Sequence, residues 1–220
     1  VEKPRLRLNI YSNGVHKENS EISGDSYTYL QLDKGKYLLA LADGMGSGEL
    51  AREESAASIE MYEDFASAGF NRETILEAIN SVLLLDEGRE CFSTLDICTV
   101  DLYSGEAEFI KIGAVSTFIA KGRNVEVLSS SSLPVGILGK VDREIFNKTL
   151  AKGDIVIMLT DGVIDSRGGS IRSEDWIKSA IKERRDNNPK HIAEDLLNKA
   201  KENYNGTIKD DMTVLVAVVV

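Results

Sequence analysis

The chain has 220 residues, of which 42% are hydrophobic, and its formal net charge is -10 at pH 7. This length and composition suit one globular domain with a substantial core, so we expect residues 1–220 to form a single domain. The acidic charge disfavours nucleic acid and an anionic membrane surface as partners, although solubility alone explains most of it.

The cysteine content and the start of the chain indicate where it belongs in the cell. Cys91 and Cys98 are too few for a disulfide framework or a four-ligand zinc site, which favours a reducing compartment. No apolar run reaches the ~18 residues that a membrane span needs. Because the chain opens with Val rather than Met and carries no signal peptide, we expect a cytoplasmic fragment of a longer protein whose membrane anchor lies outside it.

The first half of the chain predicts a strand, a hairpin and two helices. Residues 6–11 alternate as a strand does, and residues 12–24 are polar and glycine-containing, which predicts a loop. Strands over 26–32 and 36–42 should pair as a hairpin across the turn Asp33-Lys-Gly35. Apolar residues then recur over 49–68 at spacings that mark one face of a helix, and Asn71 caps a second helix.

The second half predicts a dense β region followed by two more helices and a closing strand. The predicted strands are 92–101, 106–113, 117–121, 125–128, 143–150 and 154–160, with the last two forming a hairpin. The predicted helices are 173–184 and the segment from Asn188 to about Asn203, and the closing strand is 212–220. This order predicts an α+β fold in which helices cover mainly antiparallel sheets.

Aspartates stand at the edges of four predicted strands: Asp25, Asp43, Asp161 and the pair Asp210-Asp211. Each by itself is as readily explained as a turn residue, because an aspartate side chain bonds nearby backbone amides. Asp25 enters one strand of the predicted hairpin and Asp43 leaves the other, so antiparallel pairing should place both at the same end. Asp43 and Asp161 are also each followed by glycine, which lets a backbone carbonyl face the same ligand as the carboxylate.

Oxygen donors of this kind are what Mg²⁺ and Mn²⁺ prefer. Two such ions about 4 Å apart, bridged by a carboxylate, would activate a water molecule and polarise a phosphoryl oxygen. The sequence offers no competing nucleophile, because no serine lies in a Gly-x-Ser-x-Gly elbow and His16 and His191 are far apart in sequence. Metal-activated water is therefore the favoured mechanism.

The glycine-rich segment Gly44-Met-Gly-Ser-Gly48 has two interpretations. It lacks the lysine of a nucleotide-binding P-loop, so nucleotide binding by that route is disfavoured. It is either a tight strand-to-helix turn without a ligand or an anion site at the start of a helix.

An ordered set of short motifs resembles the metal-dependent serine/threonine phosphatases of the PP2C superfamily, and more narrowly those of the SpoIIE type. The matching segments are Ser23-Gly-Asp25, Asp43-Gly-Met-Gly-Ser-Gly48 with Ala51 and Glu54-Ser55, Ser93-Thr-Leu-Asp96, Leu133-Pro-Val-Gly-Ile137, Thr160-Asp-Gly162 and Asp210-Asp-Met-Thr213. Each segment alone is a weak signal, but the ordered set spans nearly the whole chain. Asp-Gly-Met-Gly, where many relatives have Asp-Gly-His-Gly, favours the SpoIIE type.

The resemblance implies an α-β-β-α sandwich with two bound divalent ions, Mn²⁺ or Mg²⁺. It implies that Asp43 bridges the ions, that Gly44 contributes its carbonyl, and that Asp25, Asp161 and Asp210 complete the coordination shells, with Asp211 as the neighbouring alternative to Asp210. The substrate implied is phosphoserine on an anti-anti-sigma protein of the STAS type, whose dephosphorylation activates a sporulation sigma factor. A homodimer is compatible with the resemblance.

Two alternatives stay open. The domain could be a stress-response phosphatase with a different phosphoprotein substrate, or a catalytically idle binding module that keeps the fold. Intact aspartates at all four positions disfavour the idle module. The arginine that grips the phosphate in eukaryotic members has no counterpart here, because Arg5 and Arg7 do not match its spacing.

Overall fold

The structure, a computed structural model, describes residues 3–46, 48–85, 91–167 and 173–220. These residues form ten strands: β1 (Leu8–Val15), β2 (Asp25–Gln31), β3 (Lys36–Asp43), β4 (Leu95–Asp101), β5 (Glu106–Ile112), β6 (Thr117–Lys121), β7 (Asn124–Leu128), β8 (Glu144–Thr149), β9 (Ile155–Leu159) and β10 (Met212–Val219). They also form five α-helices: α1 (Glu49–Ser67), α2 (Arg72–Leu84), α3 (Asp161–Ile164), α4 (Ser173–Lys182) and α5 (Pro189–Asn203). All pairings between these strands are antiparallel, as predicted.

The contacts of the chain divide it into two compact units. Unit 1 comprises Val1–Pro4, Ile22–Ala114 and Ser130–Thr149, and unit 2 comprises Arg5–Glu21, Val115–Ser129 and Leu150–Val220. Each unit contains one five-stranded sheet and its own helices.

In unit 1 the strand order is β2-β3-β4-β5-β8, and α1 and α2 cover one face of the sheet. The row Ala40, Ile97, Ile110 and Ile145, aligned across four strands, belongs to the apolar core that these helices complete. Because side chains alternate along a strand, the adjacent row lies on the opposite face. The second helix begins as predicted, since the Asn71 side chain accepts a hydrogen bond from the Thr74 N–H at 3.0 Å.

In unit 2 the strand order is β1-β10-β9-β6-β7. A core that includes Trp176, Ile177, Leu196 and Leu197 joins α4 and α5 to the apolar side chains of this sheet. The closing strand β10 is buried along its whole length and pairs with β1 on one side and β9 on the other, as expected of a central strand. The start of α5 is also confirmed, with Asn188 as the cap and Pro189 in the first turn.

Two predictions about strands are wrong. Residues 12–15 are not a loop, because β1 continues to Val15 and pairs with β10 over eight residues. The segments 143–150 and 154–160 do not form a hairpin: β8 pairs with β5 in unit 1, whereas β9 pairs with β10 and β6 in unit 2. The intervening turn bonds elsewhere, since the Gly153 N–H donates to the Val219 carbonyl at 2.8 Å.

None of the helices in the described ranges has both the length and the apolar character that crossing a bilayer requires.

Candidate metal centre

Asp25 and Asp43 stand directly opposite each other in the register of β2 and β3. Side chains at directly opposite positions of an antiparallel pair share a face of the sheet, with Cβ atoms about 4.5–5.5 Å apart. Ala40 and Ala42 point toward α1 and α2, where they belong to the core. Because successive side chains of a strand point to opposite faces, Asp43 lies on the face away from these helices. The hairpin therefore places both carboxylates at the same end, as its sequence predicted.

The backbone of Asp43 is fixed by the neighbouring strand. Its N–H donates to Thr94 Oγ1 at 3.0 Å, and its carbonyl accepts from the Thr94 N–H at 2.9 Å and from Ser93 Oγ at 3.3 Å. The segment Ser93-Thr94 thus orders the strand edge at which the carboxylate stands. On the other strand, the Asp25 carbonyl accepts a hydrogen bond from Arg52 Nη1 of α1 at 3.1 Å.

Gly44 lies where α1 comes closest to the end of β3. A Cβ atom added at this position would be 1.9 Å from the Ala51 carbonyl oxygen, so no larger residue fits without moving the helix backbone. The Gly44 N–H donates to the Gly24 carbonyl at 3.2 Å, next to Asp25. The glycine after Asp43 is therefore required by close packing. Ser47, within the glycine-rich segment, lies outside the described residues.

The second Asp-Gly pair, in unit 2, is packed in the same way. Asp161 is the first residue of α3, and Thr160 before it is joined to Thr213 by two hydrogen bonds, of 3.1 and 2.9 Å. A Cβ atom added at Gly162 would be 2.1 Å from the Asp211 carbonyl oxygen and 3.2 Å from the Asp210 Cβ. The fold thus brings Asp161-Gly162 against the Asp210-Asp211 segment.

The electrostatics of unit 2 show an acidic cluster around these residues. The Tyr204 hydroxyl donates to the Gly162 carbonyl at 3.0 Å. Burial, reinforced by the charges of Asp210, Asp161 and Asp165, raises the pKa of Tyr204 to about 12. Partial burial, followed by the charge of Asp210, raises the pKa of Asp165. Negative charge therefore accumulates here in a way that a bound cation would offset.

Asp210 and Asp211 have different surroundings. Asp211 is buried, and its Oδ1 accepts a hydrogen bond from the Lys17 N–H at 2.7 Å, which ties it to the segment after β1. Asp210 is half-buried and is the member of the pair whose charge acts on Asp165 and Tyr204. The charge of Asp210 thus belongs to the acidic cluster, whereas the Asp211 carboxylate is held by the segment after β1.

Sequence reasoning missed Asp165, Tyr204 and Lys111 as residues of interest, and mentioned Glu54 only as part of a motif. Asp165 follows Asp161 by one helical turn, which is a usable signal, whereas nothing in the sequence marks Tyr204. Glu54 on α1 is 5% exposed, and neither of its carboxylate oxygens has a hydrogen-bond partner among the residues that the structure describes. It is a buried acidic group that the predicted ligand set leaves out.

The donor set fits a hard divalent cation, because it consists of carboxylates and backbone carbonyls. Within the described ranges, no three or more His, Cys, Asp or Glu side chains are grouped so that they could hold a metal ion. What the structure brings together is Asp25 with Asp43 in unit 1, and Asp161 with Asp210 and Asp165 in unit 2.

Comparison with known proteins identifies relatives across most of the chain. The family model described as Stage II sporulation protein E (SpoIIE) matches residues 33–220. Stage II sporulation protein E of Priestia megaterium is 37% identical over 196 residues, which is 89% of this chain and 34% of that protein. This chain thus spans about a third of the length of that relative.

Solved structures agree with the sequence comparison. The structure of the PP2C phosphatase domain and a fragment of the regulatory domain of SpoIIE from Bacillus subtilis has a TM-score of 0.90 and 32% identity, and covers 99% of this chain and 65% of that one. This similarity confirms the predicted PP2C-like α+β class.

A second kind of relative is shorter. Phosphoserine phosphatase RsbX of Bacillus subtilis (strain 168) is 30% identical over 165 residues, 74% of this chain and 77% of RsbX. A crystal structure of RsbX in complex with magnesium covers 100% of this chain and 98% of its own, with a TM-score of 0.73 and 24% identity.

Proposed function

The chain belongs to the SpoIIE family of PP2C-type serine/threonine phosphatases, and from this premise we propose that its carboxylates hold two divalent ions for the hydrolysis of phosphoserine on a protein substrate. The observation that carries the proposal is the register of the first hairpin. Asp25 and Asp43 are strand-end carboxylates directly opposite each other, and Asp43 is followed by a glycine that close packing requires.

In this proposal the carboxylates of Asp43, Asp25, Asp161 and Asp210 would hold the ions, and the Gly44 carbonyl would serve as a further oxygen donor. When bound, Mn²⁺ or Mg²⁺ lowers the pKa of a coordinated water molecule and polarises a phosphoryl oxygen. The magnesium complex of RsbX supports a divalent ion in a relative of this fold and leaves both metals as candidates.

The residues around these ligands have positioning roles. Ser93 and Thr94 hold the backbone of Asp43, and the Thr160–Thr213 bonds hold the backbone before Asp161. Tyr204 fixes the Gly162 carbonyl through its hydroxyl. Because these contacts involve the backbone on either side of each aspartate, they limit how far each carboxylate can move when an ion binds or leaves.

For the substrate we propose a phosphorylated anti-anti-sigma protein of the STAS type, whose dephosphorylation activates a sporulation sigma factor. Support comes from the SpoIIE family membership and from the similarity to a phosphoserine phosphatase, RsbX. Since the chain spans about a third of the Priestia megaterium relative, we further propose that it is the cytoplasmic phosphatase domain of a longer, membrane-anchored protein.

Hydrolysis of p-nitrophenyl phosphate with and without Mn²⁺ tests the activity without a protein substrate. We expect Mn²⁺-dependent turnover that Asp43→Asn reduces by more than the roughly 10–100-fold that losing an outer-shell partner costs. Asp64→Asn, the same change at an exposed position on α1, should leave turnover at the wild-type rate. Wild-type turnover in Asp43→Asn would overturn the ligand assignment, and absence of Mn²⁺-dependent turnover in the wild type would favour the idle binding module.

A further inference from the structure

A lysine and an aspartate form a fully buried ion pair in the sheet of unit 1. The Lys111 ammonium on β5 lies 2.7 Å from Asp96 Oδ2 on β4, and their side chains are 0% and 2% exposed. Lysine is among the residues least often buried completely, and it is so only when paired. The pair is therefore a specific feature of this sheet.

The pair lies on the same face of the sheet as Asp25 and Asp43. Leu41, Asp96, Lys111 and Glu144 form one aligned row across β3, β4, β5 and β8, next to the helix-facing row and hence on the opposite face. Asp43 is two residues beyond Leu41 on the same strand. Asp96 and Asp43 are thus diagonal neighbours on adjacent strands, about 7–8 Å apart between their backbones.

Burial and the neighbouring charges act on the pKa of Lys111 in opposite directions. Burial lowers the pKa of Lys111, and the charges of Asp96 and Glu144 together with the Asp96 hydrogen bond oppose that shift. Cys98, two residues along β4, has a pKa well above its usual value because of burial and the negative charge of Asp96. Acidic residues thus flank Lys111 on both sides in this row, and Asp96 is the one on the side of Asp43.

Stability alone is a weak reason for such a pair. Removing two charges from water costs several kcal/mol each, and replacing a buried ion pair by apolar residues of similar volume is often neutral or stabilising. The position of this pair beside Asp25 and Asp43 points to another role. A fixed negative charge at this distance attracts a divalent cation bound at the strand ends.

We propose that Asp96 and Lys111 are positioning residues for the metal centre, in which Lys111 holds Asp96 in place and Asp96 strengthens divalent cation binding at Asp25 and Asp43. The inference rests on the proposed function, since it assigns a role toward the same ions. Neither residue belongs to the ligand set that the motifs imply. Outer-shell groups of this kind tune a metal site through charge and orientation.

The test is Mn²⁺ affinity, measured by isothermal titration calorimetry together with the thermal midpoint of unfolding without metal. Asp96→Asn keeps the shape of the side chain and removes its charge, and we expect Mn²⁺ binding at least about fivefold weaker, from one unit charge acting on a divalent ion at this distance. Asp101→Asn makes the same change on the same strand, five residues further from the carboxylates, and should leave the affinity unchanged.

A double variant, Asp96→Leu/Lys111→Met, separates this role from a purely structural one. We expect it to keep a midpoint close to the wild type and to bind Mn²⁺ more weakly than the wild type but less weakly than Asp96→Asn, which leaves the Lys111 ammonium without its carboxylate partner. Should Asp96→Asn fail to fold, the double variant decides alone. Wild-type affinity in a folded double variant would overturn the inference while leaving the proposed phosphatase intact. Absence of Mn²⁺ binding in the wild type would instead overturn the proposed function.

Discussion

The two units bring their aspartates together in different ways. In unit 1 the carboxylates of Asp25 and Asp43 come from one hairpin, and the backbone register alone sets them opposite each other. In unit 2 Asp161 and Asp210 come from distant segments, brought together by the Thr160–Thr213 bonds and the packing of Gly162. In both, the glycine after the aspartate abuts a backbone carbonyl, with a hypothetical Cβ 1.9 Å away in one unit and 2.1 Å in the other.

The two acidic groups differ in how firmly the fold fixes the positions of their carboxylates. A hairpin register cannot shift by one residue without turning every side chain to the other face, so the unit 1 pair is fixed by its sheet. The unit 2 cluster depends on side-chain and loop contacts, and there burial, followed by the nearby negative charges, raises the pKa of both Asp165 and Tyr204. We therefore expect unit 2 to respond more to pH and to single side-chain changes.

The largest expected effect separates the adjacent aspartates of unit 2. Asp210→Asn should reduce Mn²⁺-dependent turnover of p-nitrophenyl phosphate by more than the roughly 10–100-fold of an outer-shell change, because it removes a ligand. Asp211→Asn should cost less, since the amide oxygen can still accept the Lys17 N–H that the carboxylate now accepts. The reverse order of losses would assign the ligand to Asp211.

The shared glycine packing predicts a matched pair of stability losses. Gly44→Ala and Gly162→Ala should each lower the free energy of unfolding by about 1–3 kcal/mol or more, because the added methyl group overlaps backbone atoms. Gly139→Ala is the control, as a Cβ there meets nothing within 4 Å. Thermal unfolding without metal measures all three. Midpoints of Gly44→Ala and Gly162→Ala that equal the control would contradict the packing argument.

A smaller loss is expected where a hydroxyl alone is removed. Tyr204→Phe deletes the hydrogen bond to the Gly162 carbonyl, and we expect a loss of about 0.5–1.5 kcal/mol in the free energy of unfolding. Urea denaturation gives that value. A Tyr11→Phe variant, which loses a longer contact of 3.4 Å to Glu194 at the surface of α5, should lose less. Equal losses of unfolding free energy in the two variants would contradict the role of the Tyr204 hydroxyl in holding the Gly162 carbonyl.

The smallest expected effect is a pH dependence confined to unit 2. Because the folded-state pKa of Asp165 is raised above its ordinary value of 3.8, its contribution to stability is present at low pH and lost as pH rises through the folded-state pKa. Without metal, Asp165→Asn should therefore unfold at a slightly higher temperature than the wild type at pH 7. The difference should vanish as the pH falls below 3.8.

Asp64→Asn controls for the change in net charge, since Asp64 is exposed on α1 in unit 1. If Asp64→Asn raised the midpoint at pH 7 as much as Asp165→Asn, the effect would belong to overall charge and not to the acidic cluster.

Features set by local sequence could be predicted, and those set by distant contacts could not. The turn Asp33-Lys-Gly35 and the alternation around it defined the first hairpin, and Asn71 and Asn188 marked helix starts through their own side chains. The separation of β8 from β9 could not be predicted, because a short polar turn looks the same whether or not its strands pair. Likewise, the sequence around Lys111 gives no sign of an ion pair, because the pair arises only from the register that places Lys111 opposite Asp96.

The proposed ligand set of Asp25, Asp43, Asp161 and Asp210 is tested most directly by a crystal soaked in Mn²⁺ and measured at the manganese absorption edge. We predict anomalous peaks in contact with each of these four side chains. A fully soaked crystal in which manganese contacts none of them, or only some of them, would contradict the assignment.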